Sequence, residues 1–219
     1  MQDNMKQGFR NAGFSHWAAC IALLLSCAPL RGDESGPVVN QAELKPPIDK
    51  TREILKQQVN VHLLPYGSQM VEVIREPAPP AALNPSGIWG QTAVDEMTEA
   101  GDFFAQHLAG WNAVPISGTF PITVFVVADV GNGKGGYSLG PLTDYVTIDP
   151  SLIKATASGP VLNQPDLTGT AHEIGHACDL FHVGSKTNLM YGDSDQREDT
   201  QLSWYQKNLF RSSRHVLYW

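Results

Sequence analysis

Apolar and polar positions fall into distinct patterns along the chain, and each pattern predicts an element. The run Phe120 to Val130, FPITVFVVADV, is nearly continuous and rich in β-branched residues, the composition of a strand buried on both faces. Val59 to Pro65 and Met70 to Glu76 alternate with a two-residue period and also read as strands, with His62 a surface or core residue rather than a ligand. Asp144 to Pro150, DYVTIDP, is a further short strand. Gln91 to Leu108 places Ala93, Met97, Phe103, Phe104 and Leu108 at loosely helical spacing, which predicts a first large helix with His107 near its C-terminus. Leu202, Tyr205 and Leu209 predict a closing helix capped by Asp199 or Thr200. No internal repeat is present, and the mixture of strands and helices predicts an α+β fold.

The longest apolar run near the N-terminus has another reading. Lys6 and Arg10 precede WAACIALLLSCAPL, which is too short to span a bilayer comfortably and suits the apolar part of an export signal. Cleavage after Ala28 would leave Pro29 first, whereas Leu24 to Cys27, LLSC, resembles a bacterial lipobox. The expectation is a lipoprotein-type signal over 1–27 with Cys27 lipidated, a plainly secreted protein and an uncleaved anchor being the alternatives. That places the protein in the cell envelope, or otherwise in the periplasm or outside the cell, touching membrane only through its lipid. Residues 28–57, rich in Pro and charge, read as a tether or a short pro-segment, and 58–219 as the working domain.

Composition narrows the function. The net charge is −7, with Lys and Arg scattered; a nucleic-acid partner would call for a concentrated basic face. The cysteines are Cys20, Cys27 and Cys178, so the lipoprotein reading leaves Cys178 as the sole thiol and no intramolecular disulfide. A monomer stabilised by one core is expected. The glycine-rich GNGKGGYSLG lacks the Ser or Thr that a phosphate loop needs after its lysine, and reads as a flexible loop.

Chemistry concentrates in Thr170 to Tyr191, TAHEIGHACDLFHVGSKTNLMY. On a helix advancing about 100° per residue, His172 and His176 stack one turn apart on one face and can grip one metal ion. Glu173 projects beside that pair, placed to act as a base on a metal-bound water rather than as a ligand. Zinc suits imidazole nitrogens, lowers the pKa of water to about 7 and leaves a position open. Ala171, Ile174, Gly175 and Cys178, on the opposite side, suit a packed face, and Cys178 reads as a small buried hydrophobe. A third ligand is wanted, and His182 on an unbroken helix would lie about 15 Å along the axis from His172. The helix must therefore end first, and Asp179 is the residue that can enter the left-handed conformation there.

The run HEIGHACDLFH, followed by NLMY, resembles the signature of the metzincin zinc peptidases, HExxHxxGxxH with a methionine-containing turn. His172, His176 and His182 match the ligand positions and Glu173 the general base. Met190, eight residues after His182 as in matrixin-like members, matches the apolar floor beneath the metal. The resemblance implies a zincin-like α+β domain: a mixed twisted sheet, a zinc-bearing helix, a Met-turn and a C-terminal helix. It implies one catalytic Zn2+ and a peptide or protein substrate, and the activity expected is zinc-dependent endopeptidase. It also implies that the strand Tyr145, Val146, Thr147 and Ile148 lines the cleft and pairs with an extended substrate; an ordinary internal strand is the alternative. Three features depart from the pattern: Asp179 replaces the turn glycine, Tyr191 and Gly192 stand where many relatives carry proline, and no cysteine is placed for a thiol-switched propeptide. Calcium ligation by Asp129 or Asp144 lacks a supporting motif. Other readings are a site with Glu198 as third ligand, a zinc amidohydrolase acting on a non-protein substrate, and an inactive zinc-binding surface module.

Overall fold

The computed structural model describes residues 17–19, 25–27, 39–64, 71–72, 74, 79–83, 98–108, 120–130, 133–153 and 165–218. Its longest helix is α1, Gln41–Val59, which corrects the tether expected over 28–57. Asn40 starts it: its side chain accepts from the amides of Ala42 and Glu43, while the Glu43 carboxylate accepts from the Asn40 amide at 2.7 Å. This reciprocal cap satisfies donors that the first turn leaves open. Leu44, Ile48, Thr51, Leu55 and Val59 then follow at helical spacing, all buried, and Asn60 ends the helix in the left-handed conformation at φ 54°. Pro46 and Pro47, inside the helix, each cost about 3 kcal/mol. Burying Leu44, Ile48, Ile54, Leu55 and Val59 returns about 8–15 kcal/mol, so packing wins.

Among the described residues, eight strands form two sheets. The smaller has the order β3 (Val61–Leu63), β1 (Trp17–Ala19), β8 (Val216–Tyr218), with β1 parallel to β3 and antiparallel to β8. The larger has the order β4 (Val71–Glu72), β2 (Leu25–Cys27), β5 (Thr123–Val126), β7 (Tyr145–Ile148), β6 (Gly136–Tyr137). Its strands are parallel except β6, which runs antiparallel along one edge. Two pieces of the expected leader, Trp17–Ala19 and Leu25–Cys27, are thus strands in the uncleaved chain, and Cys27 pairs in register with Val126.

Both faces of the larger sheet are covered. Val124, Val126, Val146 and Ile148 share a core with α1 and with Ala171, Ile174 and Ala177, from the helix described next. Phe125, Val127 and Tyr145 point the other way, toward Ala82 of the one-turn α2 (Pro80–Leu83) and toward Phe103 and Phe104 of α3 (Glu99–Gln106). The rings of Phe104 and Tyr145 lie 4.9 Å apart. Burial on both faces is what the continuous apolar run at 120–130 predicts. Within the predicted helix 91–108, residues 91–97 lie outside the described residues; His107 caps its end, with Nδ1 2.8 Å from Phe103 O.

α4 (Gly169–Ala177) lies across the sheet, and α5 (Trp204–Ser212) closes the chain's lower part. Ser203 caps α5 through a box with Gln206, replacing the expected Asp199 or Thr200. Its inward residues are Gln206 and Phe210, while Tyr205 is exposed.

The strand Tyr145–Ile148 is not the cleft edge. All four residues are buried, Val126 and Phe125 pair with Ile148 and Thr147 on one side, and Gly136 and Tyr137 pair with the same two on the other. The edge belongs to β6, from the glycine-rich stretch read as a flexible loop.

Candidate metal centre

The centre is built from the end of α4. Cys178 closes the helix, and Asp179 follows at φ 69°. The amide of Leu180 donates to Gly175 O at 2.9 Å and that of Asp179 to His176 O at 3.0 Å, the pair of bonds that defines a left-handed helix stop. The chain therefore reverses where the sequence predicts, one residue past the helix. The same turn delivers Leu180 O to His176 Nδ1, 2.7 Å away, so the device that ends the helix also orients one imidazole.

His182 returns to the other two. The Nε2 atoms of His172, His176 and His182 lie 3.1, 3.1 and 3.0 Å apart, a nearly equilateral triangle. His172 Nδ1 donates to Leu189 O at 2.7 Å, and His176 Nδ1 donates to Leu180 O. With those hydrogens on Nδ1, the Nε2 lone pairs face the triangle. Bonds of about 2.0–2.1 Å to one tetrahedral zinc subtend nitrogen separations near 3.3 Å, so donor set and spacing fit that ion. Burial holds all three rings below their ordinary range: His172 well below it with help from the neighbouring His176 and Arg197, His176 at about 4, and His182 lowered with further help from Arg197 and Lys134. Neutral rings are the form that binds metal. Among the described residues this is the one group of three His, Cys, Asp or Glu side chains gathered closely enough to hold an ion. Glu198 is exposed and apart from it. Asp144, weighed for calcium, is taken by Arg214, whose Nη2 lies 2.6 Å away.

Glu173 is buried beside the triad, in a cleft of about 980 Å³ that both share. Burial pushes its carboxyl up to about 8, with Arg197 and then Lys134 pulling the other way. Its Oε2 has no hydrogen-bond partner among the described residues, as for a group kept for a ligand. Gly136 of the edge strand fixes its position from the other side: a Cβ there would lie 2.8 Å from Glu173 Cγ. The edge must therefore be glycine for the carboxyl to sit where it does.

Met190 is fully buried beneath α4, its sulfur 2.6 Å from where a Cβ on Gly175 would stand. Its amide donates to Asn188 Oδ1 at 2.9 Å, and the Asn188 amide donates to Gln206 Oε1 at 2.8 Å, tying the turn to α5. Asn188, Gln206, Arg197 and Gly136 are absent from the sequence-based site. Only Gly136, in a glycine-rich stretch, carried a local signal. Cys178 is buried with its thiol pushed up to about 12 by burial, as expected of a packing residue. Cys27 lies in β2.

No protein-family model matches the chain, and no curated protein matches it. Solved structures do. The archaemetzincin of Methanopyrus kandleri is similar over 89% of this chain and 95% of its own, with a TM-score of 0.51 at 15% identity. Metalloproteinase-II of Bacteroides fragilis is similar over 88% of this chain with a TM-score of 0.53 at 14% identity, and the chain spans 52% of its length. This chain has the α+β, zincin-like fold of those metallopeptidases.

Proposed function

We propose that this chain is a zinc-dependent endopeptidase, with His172, His176 and His182 holding the ion, Met190 packed beneath it and Glu173 as general base. The observation that carries the reading is the triangle of Nε2 atoms at 3.0–3.1 Å beside a buried carboxyl whose Oε2 has no hydrogen-bond partner among the described residues. Zinc bound there supplies a Lewis acid that polarises the scissile carbonyl, acidifies water and draws Glu173 toward its carboxylate form. The chain's own residues do the rest. Glu173 accepts the proton of the attacking water and returns it to the leaving nitrogen as the amide bond breaks. The edge strand Gly136–Tyr137 offers main-chain groups to an extended peptide, and Gly136 lets that peptide and Glu173 approach from opposite sides. Main-chain carbonyls on Nδ1 of His172 and His176 keep both rings aimed inward.

The test is cleavage of a mixed peptide library by the full chain and by Glu173→Gln, each with its zinc content measured. Cleavage by the first alone, with one zinc in both, supports the reading. One zinc in both and no cleavage by either moves the chain to a non-peptide amide substrate or a binding role.

Export with lipidation at Cys27 belongs to the same proposal, supported by the charged start, apolar run and LLSC of the sequence. It competes with the use of Trp17–Ala19 and Leu25–Cys27 as strands. Intact-mass analysis of protein made in a secreting bacterium decides: loss of residues 1–26 with a lipid adduct supports it, and an unprocessed 23.8 kDa chain refutes it.

A further inference from the structure

Arg197 lies in the irregular stretch between Met190 and α5, and the metal reading gives it no part. Its Nη1 donates to Thr168 Oγ1 at 2.6 Å and its Nη2 to Tyr191 O at 2.9 Å. One arm thus holds the residue before α4, the other the residue after Met190. Nη2 also lies 3.0 Å from His172 Nδ1, the nitrogen whose hydrogen goes to Leu189 O. A protonated Nδ1 accepts nothing, so this third contact brings two donors together, held there by the bonds to Thr168 and Tyr191. Partly buried, the arginine is a cation set beside a place built for another cation, a repulsion that the carboxylates of Glu173 and Asp193 reduce. Its two directional bonds add a geometric role to that balance of charges.

We propose that Arg197 is a positioning residue of the metal centre: by clamping Tyr191 O to Thr168 Oγ1 it holds Leu189 O and the His172 ring in the orientation that aims Nε2 at His176 and His182. The proposal rests on the reading of the triad as a zinc site. Its sign separates it from plain electrostatics. If the guanidinium acts only through its charge, removing it tightens zinc binding. If it positions His172, removing it weakens binding, by the 10–100-fold typical when an outer partner of a metal-binding histidine is lost.

The experiment uses the full chain as wild type, Arg197→Met, Arg197→Lys and Thr168→Val. Zinc affinity is read by competition with a chelator, and the unfolding temperature of each metal-stripped protein is recorded beside it. Arg197→Met is expected to bind zinc about 10–100-fold more weakly. Arg197→Lys keeps the charge without the planar fork and is expected to stay weak. Thr168→Val loses one hydrogen bond from a charged donor and is expected to bind about tenfold more weakly. A lower unfolding temperature with zinc affinity unchanged would show a merely structural role, and equal or tighter binding by Arg197→Met would equally overturn the proposal. Should Arg197→Met fail to fold, Arg197→Lys and Thr168→Val decide by the same criterion. A wild-type chain that binds no zinc removes the metal reading itself, whereas wild-type binding with unchanged variants removes only the role of Arg197.

Discussion

Replacing Glu173 by glutamine in metal-stripped protein should remove a pH-dependent penalty that the fold places on this carboxyl. Its ordinary value of 4.5 is raised to about 8 by burial. Below pH 4.5 folded and unfolded chains both carry the proton, and the group adds no pH dependence. Between 4.5 and about 8 the unfolded chain releases it and the folded chain keeps it, so stability falls as pH rises. Above pH 8 the penalty is complete. At about 1.36 kcal/mol for each tenfold change in proton concentration, the gap amounts to about 5 kcal/mol. The depressed histidines act in the opposite sense, lowering stability as pH falls through their unfolded value of 6.5, but they are present in both proteins and cancel in the difference. The assay is urea unfolding of stripped wild type and Glu173→Gln at pH 5 and pH 8.5. The variant should gain several kcal/mol relative to wild type between those two conditions. A difference that stays constant with pH, within about 1 kcal/mol, would refute the claim that the folded chain holds Glu173 as the neutral acid.

Four further outcomes follow from the same geometry. Gly136→Ala sets a Cβ 2.8 Å from Glu173 Cγ, and should lower peptide cleavage about 100-fold with zinc content unchanged; wild-type rates would contradict the placement. Gly175→Ala would ordinarily stabilise a helix by about 1 kcal/mol, yet its Cβ meets the Met190 sulfur at 2.6 Å, and a net loss of about 1–2 kcal/mol in denaturant unfolding is expected. Asn188→Leu strands the buried Gln206 side chain that it pairs with at 2.8 Å, an expected loss of about 1–3 kcal/mol; Asn188→Leu with Gln206→Leu should lose less than the two singles together. Cys178, buried and raised to about 12, should resist a thiol reagent at pH 8 in the native chain and react once the protein is unfolded in urea.

The features that were legible in the sequence depend on neighbours a few residues away. Four residues of helix put His172 and His176 on one face, and a left-handed Asp179 returns His182, because helix geometry and helix stops are local properties. The buried strand at Thr123–Val126 was readable for a similar reason: a β-branched apolar run has few other fates. The helix α1 was locally signalled as well, by Asn40 with Glu43 and by the spacing of Leu44, Ile48 and Leu55. Pro46 and Pro47 obscured it, since their cost is visible in sequence and the burial that outweighs it is not.

Other features exist only through partners far along the chain. Which strand forms the cleft edge depends on sheet order, and a run such as Tyr145–Ile148 does not state who pairs with its two sides. Gly136 matters because Glu173 packs on it, Asn188 because Gln206 faces it, and Arg197 because Thr168 and Tyr191 meet at its two arms. The sequence by itself determined the three imidazoles, their spacing and the turn that gathers them. Only the tertiary structure decided which edge a substrate meets, how deeply Glu173 is buried and what holds the rings in place, because those depend on long-range pairing and desolvation that no local pattern of residues encodes.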